Sequence, residues 1–270
     1  MGDKTRHCNF LHLVMDQSIL DLLTIYKGLK MPGWKIESLR LTQFVTSVQQ
    51  PKELEAKLEQ ATGGKQPTVQ KSSLHFRGYT EIEDRLLHLA WQPQRMDVVL
   101  GCAVIDPSVA IGSEEEINSL AKKWLPPWLW ENLEVVRLAL GITLFVPVSD
   151  FTAANKFLQP LLGKHLKITD NTRDLIYRVN RPSKLPSGYD TNCLATWSVG
   201  MRQAVSVLIP PFEIRTPQVK GEPILTARLE IDANTQPKSD FVIPNEKRVE
   251  TFEGLLAQAL EIVKHGDIGE

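Results

Sequence analysis

The sequence predicts an α+β protein built from two βαβββα repeats, which form one curved antiparallel sheet with helices on one face, preceded by an N-terminal helix. Three observations support this fold. A long strand pattern at residues 34–48 recurs at 134–148, and a helix pattern follows each copy. Three more strand patterns and a closing helix then follow in both stretches. Short matches accompany this order, namely Leu39-Arg40-Leu41 with Val136-Arg137-Leu138 and Leu89-Ala90-Trp91 with Ala195-Thr196-Trp197.

Three segments follow from this pattern: an N-terminal extension at 1–31, a first unit at 32–130 and a second unit at 131–270. Within the extension, apolar residues recur at helical spacing and predict a short amphipathic helix at about 17–29. Met31-Pro32-Gly33 then breaks the pattern. An alternative is that the natural chain starts at Met31.

In the first unit, Pro51 stands at the start of a helix pattern that Gly63-Gly64 ends. The stretches 72–83 and 85–94 are typical of paired strands around a turn near Glu83-Asp84, and 96–105 predicts a third strand. Ser113, followed three residues later by Glu116, is a capping box, which predicts the start of a helix that runs to Trp124.

In the second unit, a helix is expected at 151–162, with Ser149 or Asp150 as its N-cap and Gly163 at its end. Strands are expected at 174–182 and 223–235. The stretch 192–210 fits either one long strand or a tight hairpin. The apolar spacing of 247–264 predicts a closing amphipathic helix.

The composition is that of a globular protein, with 42% hydrophobic and 23% charged residues among 270 and a net charge of −1. That balance argues against disorder and against a general electrostatic attraction to nucleic acid or anionic lipid. Three widely spaced cysteines suggest reduced thiols. No apolar run is long enough to span a bilayer. These features predict a cytoplasmic protein without a membrane segment.

Motifs for chemistry are weak. His7 and His12 with Cys8 between them do not share a helical face, and no second ligand cluster follows, so no metal site is predicted. His75 and His88 lie in neighbouring predicted strands, where a catalytic acid–base pair is conceivable but a solvated sheet face gives the same pattern. No catalytic residue and no cofactor is assigned.

Two groups of residues are candidates for binding. Trp124, Trp128 and Trp130 surround two prolines between the units, where they suggest either a partner anchor or packing that joins the units. Arg178, Arg181, Lys184 and Arg202 lie on or near predicted strands beside Tyr177. On a curved sheet they are candidates for phosphate contacts with single-stranded nucleic acid.

Two resemblances accompany these patterns. The passage INSLAKKWLPPWLWENLEVVRLALGITLFVPV (117–148), then ILTARLEIDANTQ and the terminal helix, resembles a sporadically distributed family of prokaryotic proteins without an established activity. That likeness covers roughly the C-terminal 60% of the chain, which lacks the family's usual opening strand and differs from it at the N-terminus. It implies a bacterial, cytosolic origin. The overall plan resembles the TATA-binding-protein-like fold in topology only. The aromatic pairs with which that protein kinks DNA are missing at matching places, so DNA bending is not implied.

We therefore expect a non-enzymatic, cytosolic binding or interaction protein, an accessory component of a bacterial multi-protein system with a protein partner. One alternative is a nucleic-acid-binding protein that uses the basic face of the curved sheet. Another is an enzyme with a site between the two halves. The sequence leaves the partner and the oligomeric state open.

Overall fold

A computed structural model describes residues 33–47, 53–103, 106–125, 133–162, 165–206, 218–237 and 242–267. The predicted N-terminal helix lies outside these residues. The strands are β1 (Lys35–Val45), β2 (Thr68–Lys71), β3 (Phe76–Ile82), β4 (Arg85–Gln92), β5 (Arg95–Cys102), β6 (Gly112–Ser113), β7 (Val135–Pro147), β8 (Ile176–Lys184), β9 (Asp190–Ser206) and β10 (Gln218–Thr235). The α-helices are α1 (Leu54–Ala61), α2 (Ile117–Trp124), α3 (Phe151–Leu162) and α4 (Asn245–His265).

The described strands form one open antiparallel sheet in the order β2-β3-β4-β5-β1-β7-β10-β9-β8, with β6 paired to β1. The central pair is β1 and β7, in which Arg40 lies opposite Gly141 and Thr42 opposite Ala139. This arrangement confirms the predicted α+β class with a large antiparallel sheet. Within the described residues, the stretch that begins at 192 belongs to the single long strand β9, which runs to Ser206, and β2 is a short strand that the sequence patterns did not indicate.

Tight turns fix the register of β3, β4 and β5. Two residues connect β3 to β4 and two connect β4 to β5, since Ile82 pairs with Arg85 and Gln92 with Arg95. Glu83 and Gln94 take positive φ angles of 57° and 64° in these turns. A positive φ at the first turn residue, as at Glu83, matches the twist of the strands. Gln94 is the second turn residue, after Pro93, and has the positive φ that a type II turn requires there. The turn predicted near Glu83-Asp84 is therefore confirmed.

The predicted capping box also forms. The Ser113 amide donates to the Glu116 carboxylate at 2.8 Å at the start of a 3₁₀ turn that leads into α2. The neighbouring carboxylate of Glu114 accepts hydrogen bonds from the amides of Gly33 (3.0 Å) and Trp34 (2.9 Å). Burial raises the pKa of Glu114, although these two hydrogen bonds act in the opposite direction. Glu114 thereby joins the start of β1 to the start of α2.

All four described helices contact the same face of the sheet. Leu58 of α1 lies against Gly78 of β3. Gln258 of α4 donates to the hydroxyls of Ser183 (2.7 Å) and Thr191 (3.2 Å), which belong to β8 and β9. Phe157 of α3 contacts Trp34 edge to face with ring centroids 4.9 Å apart. In α2, Lys122 forms a 3.0 Å ion pair with Glu253 of α4.

The core fills the space between this face and the helices. Alternate residues of each strand supply it, because successive strand side chains point to opposite faces. Its large and fully buried side chains include Trp34, Leu39, Leu41, Phe76, Trp91, Trp197 and Phe252. The other face of the sheet contacts none of the helices in the described ranges.

Candidate binding surface on the open face of the sheet

We call the face opposite the helices the open face. It consists of alternate strand residues that the ladder registers place side by side, from β3 across to β8. One cross-strand row runs Tyr79, His88, Val99, Arg40, Gly141, Asp232, Leu194 and Asn180. The next row ends with Ser38, Thr143, Glu230, Thr196 and Arg178. Because these side chains are exposed or half-buried, the open face is a candidate working surface in the described part of the chain.

A first charge cluster lies at one end of the central strands. Arg95 contacts the carboxylate of Asp97 through two nitrogens, at 2.7 and 3.0 Å, and Thr42 donates to the same carboxylate. Two guanidinium groups approach the ring of Phe44, that of Arg137 at 4.9 Å and that of Arg95 at 5.7 Å. Arg95 is thus held by its ion pair with Asp97, whereas Arg137 donates a 2.9 Å hydrogen bond to the Asn234 side chain, and both contact the Phe44 ring.

A second cluster lies at the opposite end. The carboxylate of Glu37 lies 3.6 Å from Arg202 and 3.5 Å from Arg228, and Arg228 also pairs with Glu230 at 3.1 Å. The Arg202 guanidinium stacks 4.0 Å above the ring of Phe145 and donates to the carbonyl oxygens of Pro107 and Val109. Arg202 is therefore engaged on all sides within the fold.

A depression of about 340 Å³ lies between these clusters. Its floor is Gly141, over which the side chain of Arg40 extends toward Asp232, with an N–O distance of 4.0 Å. A methyl group at position 141 would lie 3.2 Å from both Nε and Nη2 of Arg40, so the glycine makes room for that guanidinium. The depression is lined by hydroxyls and by both signs of charge: Ser38, Arg40, Thr143, Arg178, Thr196, Glu230 and Asp232.

The four basic residues predicted to contact nucleic acid do not form one surface. Arg178 lines the depression, and Lys184 lies exposed at the end of β8. Arg202 is on the open face but is held by Glu37 and Phe145. Arg181 points to the helix face, where its Nη2 lies 2.7 Å from Asp267. The alternation of side chains along β8 separates Arg178 from Arg181, since they are an odd number of residues apart.

Asp267, just after α4, is the centre of a compact polar cluster. Its carboxylate accepts hydrogen bonds from Tyr177 (2.6 Å) and Arg181, and its main-chain oxygen lies 3.1 Å from Nε2 of His165. Burial alone would raise the pKa of Asp267, but the hydrogen bonds from Tyr177 and Arg181 outweigh it and hold that pKa below its usual range. The bond to Asp267, more than burial, raises the pKa of Tyr177. This cluster fastens the end of α4 to the edge strand β8 and to the chain after α3.

Of the predicted tryptophan cluster, only Trp124 lies within the described residues; Trp128 and Trp130 lie outside them. Trp124 is 8% exposed and packs in the core from the last turn of α2. The ammonium group of Lys123 lies 4.6 Å from the centre of its ring. Its position agrees with the packing alternative.

His75 and His88 do not share a site. Tyr79, not His75, lies opposite His88, so the two histidines are four residues apart along the ladder, which corresponds to about 13 Å. His75 lines a separate depression with Gln70, Lys71, Ser72 and Arg77 that does not include His88. Burial, and secondarily the charge of Arg77, lowers the pKa of His88 and so favours the neutral imidazole.

The described residues contain no group of three or more potential metal ligands. Cys193 is buried on the helix face, and burial raises the pKa of its thiol to about 12. A thiol with such a pKa carries almost no nucleophilic thiolate at neutral pH.

A scan of the chain against models of known protein families finds no match, and a search among curated proteins finds no significant relative. Within the described residues, none of the helices combines the length and the apolar character needed to cross a membrane.

Sequence reasoning missed the residues that define the depression, Gly141, Glu230 and Asp232. The signal for the two carboxylates is the pattern Arg228-Leu-Glu230-Ile-Asp232 on one strand, which places three charges of both signs on the same face. Arginines of the strands were candidates for binding, whereas the carboxylates that pair with them were not. Only the pairing of β10 with β7 brings Asp232 beside Gly141 and within reach of Arg40.

Proposed function

We propose that this protein is a non-enzymatic binding protein that docks a partner protein on the open face of its sheet. The observation that carries the proposal is the charge pattern of that face. Several of its arginines lie beside carboxylates, as Arg95 beside Asp97, Arg228 beside Glu230 and Arg40 beside Asp232. Interfaces between proteins use such mixed and complementary charges for specificity and orientation.

The same pattern weighs against the nucleic-acid alternative. A face that tracks a phosphate backbone needs cations that are free to replace counterions. Here Glu37, Asp97, Glu230 and Asp232 would repel phosphates that approach the neighbouring arginines. The observation that favours nucleic acid concerns only two arginines: the exposed side chains of Arg77 and Arg178 make no ion pair or hydrogen bond with the described residues.

A cytoplasmic, bacterial protein that serves as an accessory component of a multi-protein system remains our proposal for its setting. It rests on the resemblance of residues 117–148 and 224–236 to the sporadically distributed prokaryotic family. An enzyme with a site between the two halves finds less support. The depression lies at the junction of β1 and β7, but its carboxylates, Glu230 and Asp232, lie beside arginines and, within the described residues, accept no hydrogen bond from its hydroxyls that would activate one as a nucleophile.

We further propose that the fold arose by duplication of a βαβββα unit, on the TATA-binding-protein-like plan. In support, β1 pairs with β5 and β7 pairs with β10, so the first and last long strands of each stretch are neighbours. In the first stretch Trp91 pairs with Met96, which in turn pairs with Gln43. In the second stretch Trp197 pairs with Leu229, which in turn pairs with Leu144, so that Trp197 corresponds to Trp91 and Leu144 to Gln43. This correspondence also relates Arg40 to Gly141, which face each other as residues on a pseudo-twofold axis must.

The match of Leu39-Arg40-Leu41 with Val136-Arg137-Leu138 belongs to a different register, so it does not describe the same symmetry. An experimental structure in which Trp91 and Trp197 fail to superpose when the two halves are aligned would rule out the duplication that we propose.

Affinity capture from extracts of the source cells, with and without nuclease, tests the proposed function. Thr196→Arg fills the depression with a bulky side chain, and Lys264→Glu alters an exposed residue of α4 on the other side of the molecule. We expect capture of a stoichiometric protein partner that nuclease treatment does not remove. The Lys264→Glu variant should still capture this partner, and the Thr196→Arg variant should not. Capture that depends on nucleic acid, or that Thr196→Arg leaves unchanged, would contradict the proposal.

A further inference from the structure

We infer that the depression over Gly141 recognises a peptide segment that carries a basic and an acidic side chain close together. This inference rests on the proposed function and names the chemistry of the partner segment. It starts from the order of charges across the sheet. Carboxylates of Glu230 and Asp232 lie in the middle, on β10, while Arg40 on β1 and Arg178 on β8 lie at the two sides.

The central carboxylates retain capacity for a further cation. Asp232 has only a 4.0 Å contact with Arg40, together with a 2.9 Å hydrogen bond from the Asn234 amide. Glu230 pairs with Arg228, and about half of its side chain stays exposed. A guanidinium or ammonium group from a partner, placed over β10 between Glu230 and Asp232, would meet both carboxylates beside Thr143, which lies opposite Glu230.

Arg178 supplies the complementary end of the site. It lies opposite Thr196, which in turn lies opposite Glu230, so two strand spacings of about 5 Å separate the arginine from the carboxylate. Arg178 makes no ion pair or hydrogen bond with the described residues, and it lines the depression. A carboxylate of the partner fits this guanidinium in bidentate geometry.

This spacing suits an extended peptide. Residues i and i+2 of a strand project to the same side about 7 Å apart, and flexible side chains cover the remaining distance to about 10 Å. A partner with Arg or Lys at one position and Asp or Glu two residues away thus matches both ends. A purely anionic ligand matches Arg178 alone and meets repulsion from Glu230 and Asp232.

The test uses the full chain, labelled with ¹⁵N, and three blocked tripeptides: acetyl-Arg-Ala-Glu-amide, acetyl-Arg-Ala-Gln-amide and acetyl-Ala-Ala-Glu-amide. We expect the first peptide to shift the amide signals of Gly141, Thr143 and Thr196 more strongly than the other two. The double variant Glu230→Gln/Asp232→Asn should raise the dissociation constant of the first peptide about tenfold or more, and Arg178→Gln should abolish its advantage over the second.

Glu261→Gln, an exposed carboxylate of α4, is the matched control and should leave binding unchanged. Absence of shifts at peptide concentrations of about 10 mM would overturn the inference, as would equal shifts from the peptide that lacks arginine. These outcomes differ from failure of the proposed function, because a captured partner that Thr196→Arg releases would still support docking on the open face through other chemistry.

Discussion

The two faces of the sheet consist of the same strands, yet they are stabilised in different ways. Trp197 and Thr196 are neighbours on β9: the indole is fully buried under the helices, and the hydroxyl lines the depression on the open face. The helix face gains free energy from buried apolar area, whereas the open face is held by paired charges in contact with water. Stability is thus concentrated on one face, and the other face is free to carry function.

The largest expected effect is on the helix face. Trp197→Ala should lower the free energy of unfolding by about 3–5 kcal/mol, because it removes a large side chain from a core that the helices cannot refill. Thr196→Ala should change it by less than about 0.5 kcal/mol. Denaturant titration of both variants checks the difference. Equal losses would show that the open face contributes to stability as much as the core does.

An intermediate effect is expected where the end of α4 meets β8. Asp267→Asn should cost about 2 kcal/mol near neutral pH, since it removes a buried acceptor from Tyr177 and Arg181. The folded-state pKa of Asp267 is depressed, so its contribution is present above the unfolded-state pKa and is lost as pH falls through the folded-state value.

The difference between the wild type and Asp267→Asn should therefore narrow below about pH 4. Unfolding free energies measured from neutral to acidic pH provide the check, with Glu261→Gln as an exposed carboxylate for comparison. A difference that stays constant with pH would mean that the charge of Asp267 does not stabilise the fold.

The smallest effect on stability is expected at the floor of the depression. Gly141→Ala should change the free energy of unfolding by less than about 1 kcal/mol. Alanine lowers the conformational entropy of the unfolded chain, and this gain offsets the cost of the close contact with Arg40, whose guanidinium can shift. It should nevertheless weaken binding of acetyl-Arg-Ala-Glu-amide.

Gly101→Ala is the matched control for that variant, since it lies in strand β5 with nothing within 4 Å of the added methyl. Unfolding curves and the same amide titration distinguish the two variants. Unchanged peptide binding by Gly141→Ala would place the binding site elsewhere on the open face.

Much of the fold was predictable from local signals. The strand patterns of β1 and β7, the turn at Glu83-Asp84 and the capping box at Ser113 depend on neighbouring residues, and the structure confirms them. The short strand β2 was not predicted, because four residues give too little alternation to recognise.

The candidate site was less predictable, because it depends on contacts between distant residues. Arg40, Gly141 and Asp232 come from three strands, and only the order β1-β7-β10 makes them neighbours. The arginines on the strands were visible in the sequence. The contact of Arg181 with Asp267 and the stacking of Arg202 on Phe145 could not be predicted, because both depend on the direction of each side chain in space.

The central claim is that the open face, not the helix side, meets a partner protein. The most direct test places a photo-crosslinking amino acid, p-benzoylphenylalanine, at Thr196 in one sample and at Lys264 in another, followed by irradiation in extracts of the source cells. We predict a discrete protein adduct at position 196 that resists nuclease, and no corresponding adduct at position 264. Adducts with nucleic acid at position 196, or a protein adduct at position 264 alone, would contradict the claim.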